Sequence, residues 1–199
     1  MNIDDLLQLD RLWKKIYPYL ASQIMESYQR DYGSTLELGP FSGGISLELA
    51  RSYPRLAITI GDESAEFVEH VKKEIAVSGL SERMTVKRTN LDHLNFNDAQ
   101  FDLIILRGAF FFLQSRENLL GELFRVLKPG GMAFVGGGYG KGTPEEFIEE
   151  IAGKSRELNS RLGRKRVSVG ELEKIVKKSR LTDHCDIREE GGLWITIRK

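Results

Sequence analysis

The run Thr35-Leu36-Glu37-Leu38-Gly39-Pro40-Phe41-Ser42-Gly43-Gly44-Ile45-Ser46-Leu47-Glu48-Leu49-Ala50 constrains this chain more than any other. It reads as a short apolar strand, a glycine-rich turn and the opening of an amphipathic helix. Gly39, Gly43 and Gly44 reach backbone angles closed to other residues and let main chain approach a ligand. A helix opening near Gly43 presents unpaired N–H groups at its positive dipole end. Something anionic, or at least accepting hydrogen bonds, is expected there.

Residue details separate the sites that use such a corner. The dinucleotide fingerprint needs G-x-G-x-x-G, and Phe41 stands at its middle glycine. A phosphate-cradling P-loop needs a lysine directly before Ser or Thr, and this turn has no lysine. Glu37 ends the strand instead, where a carboxylate repels phosphate and attracts an ammonium group. The stretch resembles the first motif of the class I S-adenosylmethionine-dependent methyltransferases, an acid followed by a glycine-rich loop. Glu37, Gly39, Ser42 and Gly43 hold the matching positions, and Phe41 replaces a residue that is usually small in that family. The resemblance implies S-adenosyl-L-methionine as cofactor, surrounded by Glu37, Gly39, Pro40, Phe41, Ser42 and Gly43.

At 199 residues the chain suits one well-buried domain. Its 29 basic and 29 acidic residues cancel, leaving no global field to draw nucleic acid or an anionic membrane. The lone Cys185 forms no internal disulfide, and the first residues lack the pattern of a signal peptide. No apolar run approaches the length of a membrane span, roughly 20 residues. A cytoplasmic protein is expected, with oligomeric state left open.

From Ile3 to about Arg30, Leu6, Leu9, Trp13, Ile16, Tyr17, Leu20, Ile24 and Tyr28 recur at helical spacing, and Pro18 should kink or divide the segment. This is a helical cover over residues 1–30, and the resemblance gives Tyr17 and Tyr19 a part in closing the pocket. A helix from Gly44 to Arg51 and a strand over Leu56–Ile60 follow, ending in Gly61-Asp62-Glu63. An acid after the second parallel strand is placed to accept from ribose hydroxyls, and Asp62 lies 62 − 39 = 23 positions after Gly39. Asp62-Glu63-Ser64 also suits a helix cap. A helix to Ser78 and a strand over Met84–Arg88 lead to Asn90 and Leu91. These stand where the resembled family has an acid on the adenine amino group and a backbone N–H on the ring; Asn can accept through its amide oxygen.

Phe101–Leu106 is a nearly continuous apolar run, as for a central strand covered on both faces. It ends at Arg107, a partly desolvated cation needing an anionic partner: a substrate group, or Asp62, Asp92 or Asp102. The helix Ser115–Leu127 runs into Lys128-Pro129-Gly130-Gly131, a turn before a fifth strand and a second mark of the same family. Gly136–Thr143 imitates a P-loop out of register and is expected as a loop over substrate, touching it through Tyr139 and Lys141. A helix over Pro144–Asn159, a basic stretch at residues 154–166, and a capping box at Ser168–Glu171 precede a hairpin formed by His184–Arg188 and Leu193–Arg198.

The expected fold is one α/β domain over residues 1–199, with a Rossmann-like core at 31–199. Its doubly wound, seven-stranded sheet is mostly parallel, closes on a C-terminal antiparallel hairpin, and carries helices on both faces. The expected function is methyl transfer from S-adenosylmethionine to a small molecule, with the cofactor also contacting Asp62, Glu63, Asn90, Leu91 and Arg107. Candidate substrate contacts are Tyr17, Phe110, Tyr139 and Lys141. No metal site is expected and no catalytic dyad is needed, because the cofactor carries the hard chemistry. His93, His70 and His184 are the histidines available to take a proton. Two alternatives stand: an RNA methyltransferase using the 154–166 stretch, and a protein that binds the cofactor without transferring methyl.

Overall fold

The computed structural model describes residues 8, 10–39, 43–161 and 167–199. Pro40, Phe41 and Ser42, and residues 162–166 of the basic stretch, lie outside the described residues.

Seven strands form one sheet in the order β3-β2-β1-β4-β5-β7-β6. They are β1 (Tyr32–Leu38), β2 (Arg55–Asp62), β3 (Met84–Arg88), β4 (Phe101–Arg107), β5 (Leu127–Gly138), β6 (Cys185–Arg188) and β7 (Gly192–Arg198). The pairings among β1 to β5 are parallel; β7 runs antiparallel to β5 and β6 to β7. This is the expected sheet, closing hairpin included. The helices are α1 (Tyr17–Tyr28), α2 (Gly44–Ser52), α3 (Ala65–Val77), α4 (Phe110–Leu113), α5 (Leu119–Val126), α6 (Glu145–Arg161) and α7 (Val169–Lys178).

β4 shows why the sheet lies between two layers. Leu103 and Ile105 join the core beneath α1, α2 and α3, whereas Ile104 and Leu106 join the opposite core beneath α5 and α7. Alternate side chains point to opposite faces, so a run apolar at every position is stable only when both faces are covered. Each such burial contributes roughly 1.5–3 kcal/mol, enough to hold β4 at the centre.

Local signals set the boundaries. Pro18 lies in the first turn of α1, after a 3-10 turn at Lys14–Ile16, so it divides the N-terminal segment where its missing N–H costs nothing. The Ser64 side chain accepts from Phe67 N–H at the start of α3, and Ser168 and Glu171 form the reciprocal capping box of α7, each satisfying helix-end donors that would otherwise lack partners.

Three expectations are corrected. Lys128–Gly131 lies within β5 rather than before it: Phe101 pairs with Leu127 and Leu103 with Met132. The extra residues bulge out, with Gly130 in the left-handed region at φ +74°. Gly136–Gly138 is strand rather than loop, paired with Trp194, Leu193 and Gly192. A Cβ at Gly136 would lie 2.3 Å from the Leu193 carbonyl oxygen, and one at Gly138 equally near that of Gly191. The glycines therefore serve close packing of β5 on β7. Finally, the helix expected over Ser115–Leu127 is shorter, running as α5 from Leu119 to Val126, and the separate short α4 at Phe110–Leu113 precedes the expected start.

Candidate cofactor site

The carboxyl ends of β1, β2, β3 and β4 converge on one edge of the sheet, and the glycine corner lies at its centre. Gly39 follows β1 with φ +104°, and a Cβ there would come within 2.9 Å of the Arg107 carbonyl oxygen. Only glycine lets the ends of β1 and β4 approach this closely. Gly43 has φ +118°, and α2 opens at Gly44.

Glu37 is 1 % exposed. Its Oε2 accepts the Ser46 N–H at 2.7 Å. The anion at the positive end of α2 is therefore Glu37 itself. Its Oε1 is buried with no hydrogen-bond partner among the described residues. Burial pushes this carboxyl up to about 7, against the opposing pull of the nearby Ser46 and Gly43 donors, because desolvation disfavours the charged form. A buried carboxylate oxygen still lacking a donor, beside a glycine corner, suits an ammonium group.

Asp62 ends β2 half-buried, with Oδ1 accepting the Ser64 N–H at 2.7 Å in a turn bond, while the N-cap of α3 is Ser64. Glu63 reaches across to the segment between α4 and α5. Its Oε1 and Oε2 accept from Arg116 Nη1 and Nη2 at 3.0 and 2.8 Å, and Oε1 also accepts the Leu91 N–H at 3.1 Å. The Asn90 side-chain oxygen accepts the Asp92 N–H at 2.8 Å, within its own turn.

Arg107, 4 % exposed, ends β4 under the N-terminal cover. Its guanidinium carbon lies 3.7 Å from the Trp13 ring centroid and 5.7 Å from that of Tyr17. Both rings offer the cation a negative face. Burial lowers its pKa, and the fields of Tyr17, Asp10 and Glu37 oppose that. Two of the carboxylates considered from sequence are engaged elsewhere: Asp92 pairs with Arg116, and Asp102 takes Ser34 and Lys128. Asp10, overlooked in the sequence, accepts the Tyr17 hydroxyl at 2.5 Å. Burial raises both groups, Tyr17 well above the usual phenol value.

Tyr17 lies against the glycine corner so closely that a Cβ at Gly44 would fall 2.1 Å from its ring. Tyr139 stacks on Trp13 with centroids 5.2 Å apart, Tyr19 meets Phe147 of α6 edge-on, and Lys15 pairs with Glu150. The N-terminal segment, α6 and the end of β5 thus form one cap over Arg107. Phe110 packs partly buried against the second core, its ring 3.5 Å from where a Cβ of Gly137 would be. Lys141 is turned outward: its Nζ lies 3.0 Å from Glu26 and 3.4 Å from Glu190, and its N–H donates to Gln23. Of the candidates outside the corner, Tyr17 and Tyr139 join the cap, whereas Lys141 belongs to the junction of α1 with the hairpin.

His93 is exposed beside Glu122, and His184 packs on Phe124. His70 alone of the three lines the cleft of ≈ 370 Å³ that reaches Gly43, Gly44, Asp10 and Tyr17. The described residues hold no cluster of three or more metal-ligating side chains, and none of their helices is long and apolar enough to cross a membrane.

This strand order, the glycine corner at the end of β1 and an acid at the end of β2 define the Rossmann-like frame of a class I S-adenosylmethionine-dependent methyltransferase. The family model described as a methyltransferase domain matches residues 36–135, half of the chain, and the chain belongs to that family. A structure from Methanococcus maripaludis, described as a putative S-adenosyl-L-methionine-dependent methyltransferase, superposes with a TM-score of 0.81 at 25 % identity, covering 98 % of this chain and 91 % of that one. The ubiquinone/menaquinone biosynthesis C-methyltransferase UbiE of Geotalea daltonii is 28 % identical over 128 residues, 64 % of this chain and 52 % of the relative. The malonyl-[acyl-carrier protein] O-methyltransferase of Priestia megaterium is 25 % identical over 170 residues, 83 % of this chain and 60 % of the relative. The chain therefore spans between half and three fifths of the length of these two relatives. S-adenosyl-L-methionine is the cofactor that fold and family define, and the Glu37 corner fits its amino acid end.

Proposed function

We propose that this protein transfers the methyl group of S-adenosylmethionine to a small-molecule acceptor, in line with the bond being broken. The observation that carries the reading is Glu37, a buried carboxylate at the glycine corner with one oxygen awaiting a donor among the described residues. Bound there, the cofactor supplies an activated methyl on a sulfonium, and the protein's task is to position groups and exclude water.

Glu37 holds the ammonium of the amino acid end, and Gly39 and Gly43 keep main chain close enough for their neighbours to contact it. Asp62 accepts from the ribose hydroxyls, its bond from Ser64 N–H fixing the direction in which the carboxylate points. The cap of Trp13, Tyr17 and Tyr139 covers Arg107 and keeps water from the acceptor end. An acceptor that loses a proton delivers it toward the Tyr17–Asp10 pair or His70, which line the cleft beside Gly43 and Gly44. A closed cap of this kind, with balanced overall charge, favours a small acceptor over RNA.

The test is incubation with methyl-labelled S-adenosylmethionine and a panel of small hydroxy, amino and activated-carbon acceptors, following S-adenosylhomocysteine. Transfer to one class, lost in Glu37→Gln, supports the proposal. Tight cofactor binding with no transfer across the panel, or transfer to RNA alone, contradicts it.

A further inference from the structure

Four groups meet between the ends of β2, β3 and β4: the Leu91 N–H, the Glu63 carboxylate, the Arg116 guanidinium and the Asp92 carboxylate. Arg116 grips Glu63 through both nitrogens at 3.0 and 2.8 Å, and its Nη1 also donates to Asp92 Oδ2 at 2.8 Å. The guanidinium is mostly buried and lies 5.7 Å from the Phe112 ring centroid. A two-pronged Arg–carboxylate pair fixes orientation as well as charge. Its effect here is to stand a carboxylate oxygen beside a main-chain donor, Leu91 N–H, at 3.1 Å. The sequence singles out Asn90 as the acceptor at this place, yet its oxygen is engaged by Asp92 N–H.

A donor next to an acceptor is the complement of the Watson–Crick edge of adenine, which offers the N1 acceptor beside the N6 amino donor. We propose that Glu63, held by Arg116, is the group that reads the cofactor's adenine in this chain, together with Leu91 N–H. The inference rests on S-adenosylmethionine being the cofactor. Adenine exchanges one hydrogen bond for two: Leu91 N–H leaves Glu63 Oε1 for N1, and Oε1 accepts from N6. Arg116 and Asp92 keep their contacts, so Arg116 is a positioning residue, and the Glu63 side chain need only turn aside within the grip. Hypoxanthine, with a C6 carbonyl and an N1–H, presents the reversed pattern and places its oxygen against the carboxylate.

The experiment is calorimetric titration with S-adenosylhomocysteine and S-inosylhomocysteine. The wild-type protein prefers the adenine compound by roughly 10–100-fold, as for other paired base contacts. Glu63→Gln, which offers a donor as well as an acceptor, brings the two affinities within about threefold, and Arg116→Met moves the ratio the same way. A general loss of structure would weaken both ligands alike and leave the ratio standing, and Asn90→Ala leaves it unchanged. An unchanged ratio in Glu63→Gln, or a ratio that collapses in Asn90→Ala instead, overturns the inference while the cofactor assignment stands. Failure of the wild-type protein to bind S-adenosylhomocysteine overturns the cofactor assignment itself.

Discussion

Glu37→Gln should separate stability from cofactor binding, and the size of the effect follows from the burial of this side chain. The carboxyl is raised from 4.5 to about 7 in the folded protein. The native state therefore holds the proton more tightly than the unfolded chain, so the stability Glu37 contributes is full below 4.5 and is lost as pH rises through 7. At ~1.4 kcal/mol per pH unit, that loss amounts to about 3 kcal/mol. Glutamine cannot ionise. Its carbonyl still accepts the Ser46 N–H, while its amide places a donor where Oε1 was, a pH-independent cost of about 1–3 kcal/mol. Urea unfolding of both proteins from pH 4.5 to 8 should show the difference between them moving by about 3 kcal/mol in the variant's favour as pH rises. A difference constant to within about 0.5 kcal/mol across that range would refute the claim that a buried, proton-holding carboxyl lies under the corner. The same ionisation governs the ligand. About a tenth of Glu37 is charged at pH 6 and about nine tenths at pH 8, so S-adenosylmethionine should bind about tenfold more tightly at pH 8, a slope that Glu37→Gln removes.

Other positions give sharper structural tests. Gly39→Ala combines a φ of +104° with a Cβ contact of 2.9 Å to the Arg107 carbonyl oxygen. It should lower stability in thermal unfolding by about 2 kcal/mol or more and weaken cofactor binding. Tyr17→Phe strips the half-buried Asp10 of its hydrogen-bond donor. The expected loss is about 1–3 kcal/mol, shrinking as pH falls and Asp10 takes a proton. Ser168→Ala removes one half of the α7 capping box. It should cost about 1 kcal/mol in urea unfolding, with no effect on cofactor affinity by calorimetry.

What can be read in the sequence and what cannot divides along a physical line. The alternating burial of β4 follows from a run apolar at every position, and the corner from three glycines between a strand and a helix; both are short-range patterns. Lys128–Gly131 is legible as a mark of family but not as a bulge, because its conformation depends on the register between β4 and β5. Gly136–Gly138 reads as a loop because its need for glycine comes from β7, which lies far later in the chain. The hydrogen bond of Asp10 to Tyr17, the ring of Trp13 over Arg107 and the grip of Arg116 on Glu63 leave no sequence signal beyond helical spacing or a polar stretch. Each is made by elements brought together only by the fold. The glycine turn calls for something anionic or hydrogen-bond-accepting at the start of α2, and within the chain Glu37 takes the Ser46 N–H there.

The most direct measurement is calorimetric titration of the protein with S-adenosylhomocysteine at pH 8, beside Asp62→Ala. The expected result is one site per chain with affinity on the order of micromolar, weakened at least about tenfold in the variant through loss of the acceptor for the ribose hydroxyls. A folded protein that takes up no ligand, or one whose affinity is indifferent to Asp62, would contradict it.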